Sequence, residues 1–90
     1  MIILDTNVIS ELLRPSPDLA VLRWFEAVDD RVLATATPVL AELMSGVALL
    51  PSGRRSTQLR AAVLEFLASF EGRILPFDQA AAFDYAALVA

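Results

Sequence analysis

The chain contains no cysteine, no histidine and no lysine. Without cysteine there is no disulfide, no thiolate nucleophile and no sulfur-ligated zinc site. Without histidine the commonest general base and the commonest transition-metal ligand are missing. A hydrolase triad built on Ser10, Ser45, Ser52, Ser56 or Ser69 is therefore excluded. The lack of lysine removes Schiff-base chemistry and the P-loop, since all seven cations are arginine. Glycine is scarce, and Gly46, Gly53 and Gly72 stand alone, so there is no Gly-rich phosphate cradle. No charge-free run approaches the ~20 residues of a membrane span. Residues 1–5 lack the basic start and the length of an export signal. These absences make the cytoplasm the expected compartment. They leave carboxylates, hydroxyls, arginine and main chain for any catalysis. Carboxylates acting without His or Cys are hard oxygen ligands, which favour Mg²⁺, Mn²⁺ or Ca²⁺.

Apolar residues, by contrast, are abundant: they make up 57% of the 90 positions. That length allows one domain, residues 1–90, close to the lower limit for burying its own core. The apolar surplus has to be covered by folding, by a partner or by further chain. The net charge of −4 resides in residues 1–45, where three arginines face seven acids; residues 46–90 balance. An acidic front half argues against a broad nucleic-acid clamp and suits a bound divalent cation.

The pattern alternates strands with helices. Ile2-Ile3-Leu4 is a continuous apolar run, which predicts a strand buried on both faces. Val8, Ile9, Leu12 and Leu13 share a helical face after the cap-rich Asp5-Thr6-Asn7. Ser16 followed by Pro17 predicts the cap of a second helix carrying Val21, Trp24, Phe25 and Val28. Residues 32–35 read as a second strand. Thr37-Pro38 repeats the cap-and-proline signal before a stripe of Leu40, Leu43, Met44 and Val47. Leu59, Ala62, Val63, Phe66, Leu67 and Phe70 give the cleanest helical period. Residues 73–75 make a third strand, and Asp78 caps a last helix with Ala82, Tyr85, Ala86 and Val89. Alternation of this kind implies an α/β fold with a parallel sheet. Three strands are few for such a sheet, which points to missing strands.

Asp5 is the leading candidate for chemistry. It follows a strand and precedes a helix, and parallel α/β sheets bind ligands beyond the carboxyl ends of their strands. The competing reading is a helix cap, a task Thr6 and Asn7 can also perform. Glu42 stands about a turn into the helix after the second strand. Ser45 and Gly46, one turn further on, suit a concave and accessible spot. Glu42 can thus reach Asp5 and share a cation with it, against the alternative of a solvated helical Glu. Asp78 reads as a cap and Asp84 as solvated. Arg54, Arg55 and Arg60 form the one basic cluster, either a solvated face or a phosphate contact. Trp24 and Tyr85 read as core or interface.

Met1-Ile2-Ile3-Leu4-Asp5-Thr6-Asn7-Val8-Ile9-Ser10-Glu11 resembles the opening of the PIN-domain ribonucleases, the VapC/FitB-type toxins of bacterial toxin–antitoxin pairs. Leu40-Ala41-Glu42-Leu43-Met44-Ser45-Gly46-Val47 resembles their second acidic motif. Leu49-Leu50-Pro51-Ser52-Gly53-Arg54-Arg55 and Ile74-Leu75-Pro76-Phe77-Asp78 match in order and spacing. The resemblance implies a three-layer α/β/α fold with a parallel sheet, of which three strands are present here, the domain continuing beyond Ala90. It implies a metal-dependent endoribonuclease that holds Mg²⁺ or Mn²⁺ through Asp5, Glu42 and later acids, with Thr6 or Asn7 in support. It implies a homodimer and a VapB/FitA-like antitoxin through which DNA is met only indirectly. Arg54 and Arg55 would then contact RNA or antitoxin. The rival expectation is a non-catalytic module that dimerises or binds antitoxin through Val8, Leu12 and Trp24. A haloacid-dehalogenase-type phosphatase fits less well, because Asn7 stands where its second Asp is needed and no lysine is present.

Overall fold

The computed structural model describes residues 1–89, except for the side chains at 84, 85 and 87–89; the readings of Asp84, Tyr85 and Val89 lie outside the described residues. The element order is β1 (Ile2–Ile3), α1 (Thr6–Leu12), α2 (Leu19–Ala27), a 3-10 turn (Asp30–Val32), β2 (Leu33–Ala36), α3 (Thr37–Ala48), α4 (Arg54–Ala68), β3 (Ile74–Leu75) and α5 (Gln79–Val89). Among the described residues the strands form one parallel sheet in the order β1-β2-β3. Ile2 pairs with Leu33 and Thr35 with Ile74. Parallel neighbours need crossover segments, and the helices after β1 and β2 supply them. The expected α/β class with a parallel sheet is what the chain forms.

The helical stripes meet in one core. Leu4 and Leu33 from the sheet region pack with Ile9 of α1, Leu43 and Val47 of α3, Val63 and Leu67 of α4, and Phe70. Phe25 docks α2 onto this core, its ring 6.0 Å from that of Phe66. Phe66 in turn stacks on Phe70 at 5.0 Å. The α4 stripe is therefore the structural centre, as its period predicted.

Three local expectations need correction. The first strand is not buried on both faces. Leu4 is 1% exposed, but Ile2 and Ile3 are 40% and 55% exposed, because β1 lies at a sheet edge rather than inside it. Ser16 does not cap α2. Asp18 does, accepting from the main-chain N–H groups of Ala20 and Val21. Nor does Thr37 cap α3: the cap position is Ala36, without a side-chain bond, and Pro38 sits in the first turn. The Thr37 hydroxyl instead accepts from the Phe77 N–H at 3.1 Å and ties the end of β3 to the start of α3. Trp24, on α2, is 41% exposed and lies outside the core. Among the described residues no helix is long and apolar enough to cross a membrane.

Candidate metal-binding and nucleic-acid site

Asp5 stands at the carboxyl end of β1. The Leu4 N–H bonds the Ala34 carbonyl at 2.8 Å, and the buried Thr35 hydroxyl donates to the Leu4 carbonyl at 3.1 Å. The residue before Asp5 is thus fixed to the middle strand from both sides. Asp5 then caps α1, its Oδ1 accepting from the Val8 N–H at 2.9 Å. The cap reading is what the structure shows, and it uses one oxygen; Oδ2 has no protein partner among the described residues.

Glu42 arrives from α3. Leu43 and Val47, four residues apart, face the core. Glu42 and Gly46, one residue earlier in each turn, therefore share the adjoining face, and both line an open groove. The Thr6 hydroxyl donates to Glu42 Oε2 at 3.0 Å across 36 positions of chain. Asp5, Thr6 and Glu42 are thereby brought to one edge of the sheet. Asn7 is exposed and makes no side-chain hydrogen bond among the described residues. Among the described residues no three acids lie close enough to hold an ion together.

The groove has a volume of about 790 Å³ and runs between α1, α3 and α4. Thr6 and Glu42 mark one end. Its floor is aliphatic, from Leu13, Leu43, Val47, Leu59 and Val63. Arg14 follows Leu13, the C-cap of α1. It lines the groove together with Arg55 and Gln58. Arg54 is exposed in the first turn of α4 and does not line it. Sequence reading missed Ser10, Arg14 and Gln58. The signal for Ser10 was its four-residue step from Thr6 beside the apolar face of α1; Arg14 continues that step just past the helix end. Arg14 also pairs with Glu11 at 3.3 Å in an exposed setting, where such a pair adds little stability.

The PIN domain family matches residues 2–90. The chain is 47% identical to the VapC ribonuclease Y4jK of Sinorhizobium fredii, over 100% of its own length and 65% of that protein. It is 46% identical to the toxin FitB of Neisseria gonorrhoeae, over 96% of this chain and 63% of that one. A solved structure of FitAB bound to an IR36 DNA fragment superposes with a TM-score of 0.86 at 42% identity, covering 96% of this chain and 61% of the other. The chain spans just under two thirds of the length of the curated relatives it matches.

Proposed function

Because the chain belongs to the PIN-domain family, we propose that its protein is a cytoplasmic endoribonuclease, the toxin of a toxin–antitoxin pair, with a divalent metal held partly by Asp5 and Glu42. The observation that supports this reading is the bond from Thr6, the neighbour of Asp5 at the carboxyl end of β1, to Glu42 of α3. The donor set fits a share of a hard-cation shell. Asp5 and Glu42 each have one oxygen engaged inside the protein and one without a protein partner among the described residues. Mg²⁺ keeps several waters and takes one or two protein carboxylates at such sites. A bound ion supplies Lewis acidity, activating water and neutralising charge on the phosphodiester. The protein's own part is to hold the two carboxylates at one place, and to set Arg14 and Arg55 where they can offset phosphate charge.

The groove also supports a protein partner. Its floor is aliphatic and no aromatic side chain lines it, so it offers no platform for base stacking. An antitoxin segment with apolar anchors suits that floor, in keeping with the likeness to FitAB. The exposed Leu19 and Trp24 of α2 support a further protein contact, such as a homodimer.

The test uses full-length protein free of antitoxin, labelled RNA and Mn²⁺. Chelator should abolish cleavage and Mn²⁺ restore it. Asp5→Asn should abolish cleavage yet leave the melting temperature unchanged, because Asn caps a helix about as well as Asp. Undiminished cleavage by the Asn variant would remove the nuclease reading. Antitoxin binding with no cleavage by wild-type protein would favour the non-catalytic module.

A further inference from the structure

We propose that a small hollow at the elbow between α3 and α4, with Arg60 on its rim, is a second contact for the RNA backbone, outside the groove. A strand held in the groove passes Arg55, rounds the start of α4 and sets a flanking phosphate against Arg60. This deepens the nuclease reading above and rests on it.

Charge is segregated along the chain. Residues 43–64 hold three arginines, Arg54, Arg55 and Arg60, and no acid; the other positions hold four arginines against eleven acids. The guanidinium groups of Arg14, Arg31 and Arg73 each bond another residue. Those of Arg54, Arg55 and Arg60 have no partner among the described residues. Arg54 and Arg55 stand in the first turn of α4, where no acid offsets them. A helix start is itself partly positive, so this crowding is unfavourable in the free protein. A polyanion relieves it.

The arginines divide between two cavities. Arg55 lines the groove. Arg60 lines a hollow of about 290 Å³ together with Met44, Ala48 and Ser52. Val47 and Leu50 line both, so the cavities meet at the elbow. Arg55 and Arg60 both belong to α4. Their separation in sequence puts them about 7.5 Å apart along its axis and on different faces. The Ser56 and Thr57 hydroxyls, also in the hollow, turn back to the Gly53 carbonyl, each at 3.0 Å. Arg60 is therefore the charged donor of the hollow. No aromatic side chain lines it, so it suits a phosphate rather than a base.

An endonuclease cuts inside a strand. Its substrate continues past the scissile bond and needs a path away from the metal. The acidic remainder of the chain repels such a strand, and the acid-free stretch beside the groove attracts it. A guanidinium fork matches phosphate oxygens. Arginines on two faces of one helix follow a continuous polyanion better than they follow a single acidic side chain of a protein partner.

The experiment measures binding of a labelled single-stranded RNA to the full-length, antitoxin-free protein in chelator, across a salt series. Melting temperature is recorded alongside. Arg60→Gln keeps the helix propensity and removes the charge. It should weaken binding about fivefold at about 0.1 M salt and make the plot of log affinity against log salt shallower by about 0.7. Arg60→Lys keeps the charge and should bind within about twofold of wild type. With Mn²⁺, Arg60→Gln should raise KM by about the same fivefold and leave kcat unchanged, as a contact made equally before and during reaction does. Arg23 is exposed on α2 and lines neither cavity, so Arg23→Gln should change nothing. A wild-type salt slope in Arg60→Gln would overturn the proposal. So would an equal loss in Arg23→Gln, which would assign the effect to overall charge. An Arg60→Gln variant that binds RNA normally but no longer holds its antitoxin would place a protein at the hollow instead. Wild-type protein that binds RNA but cleaves none with Mn²⁺ would sink the nuclease reading, while the salt slopes still decide this one. Wild-type protein that binds no RNA would sink both.

Discussion

The two edges of the parallel sheet use their polar groups in opposite ways. At the amino edge, the Arg73 guanidinium donates to the carbonyls of Asp30, Leu33 and Ser69 and lies 4.6 Å above the Phe70 ring. One side chain joins the start of β2, the end of the α4 region and the entry to β3. Gly72, with φ of +80°, makes the left-handed turn that delivers Arg73 there. Nearby, Arg31 closes on Asp29 at 2.7 Å. At the carboxyl edge, Asp5 and Glu42 each keep an oxygen without a protein partner among the described residues, and Glu42 lines a groove of about 790 Å³. The amino edge uses its polar groups for architecture; the carboxyl edge leaves some without a protein partner among the described residues. In a parallel sheet that asymmetry follows from geometry. Strand ends at the carboxyl edge open into the loops and helix starts where side chains diverge.

Substitutions at the amino edge should therefore lower stability and leave metal affinity alone. Arg73→Ala is the largest expected effect: loss of its main-chain acceptors and of the Phe70 contact should cost about 2 kcal/mol. For a domain of this size that is a fall of about 10 °C in melting temperature. Calorimetry of the same variant at 20 °C should return wild-type Mn²⁺ affinity, and a loss of affinity there would break the division between the edges.

Thr35→Val probes the boundary between them. It keeps the shape of a fully buried side chain while leaving the Leu4 carbonyl without its hydroxyl donor. We expect a loss of about 1 kcal/mol, or about 5 °C, read by thermal melting. Because Leu4 precedes Asp5, a reduction in Mn²⁺ affinity should accompany it, smaller than that of Asp5→Asn.

The smallest effect belongs to Asp29→Asn. Hydrogen bonds from the Arg31 side chain and N–H hold the Asp29 carboxyl below its ordinary value of 3.8. A lowered folded-state value means that stability from this pair is present at neutral pH and fades as acid protonates Asp29, below about pH 4. The pair is exposed and screened, so melting at pH 7 should barely change. The variant should show a slightly shallower loss of stability between pH 5 and 2, whereas an unaltered acid profile would remove Asp29 from the amino-edge network.

Much of this was legible before any coordinates. Leu59, Val63, Phe66, Leu67 and Phe70 announced α4 because a helix that buries one face must repeat its apolar residues at that period. Asp5 was legible because an apolar run that stops at an acid before cap-rich residues marks a strand end. That Glu42 lies at an accessible, concave place was legible through the small residues beside it, and Gly46 lines the groove with it. The helix caps were less so. Ser16 and Thr37 had the right chemistry, but long-range bonds chose otherwise. Glu11 accepts the Asp18 N–H at 3.1 Å and sets where α2 begins, while Phe77 takes the Thr37 hydroxyl. Arg14 and Gln58 were invisible as site residues, because they meet only when α1 and α4 form the two walls of one groove.

Composition and periodicity by themselves determined the chemistry available and the α/β class: no His, Cys or Lys leaves oxygen ligands, and buried stripes dictate helix and strand. Which strand lies at the sheet edge, which of Thr6 and Asn7 reaches Glu42, and which of Arg54 and Arg55 enters the groove were decided only by tertiary packing. Local sequence sets what a side chain can bond. Its partner, tens of residues away, is supplied by the fold.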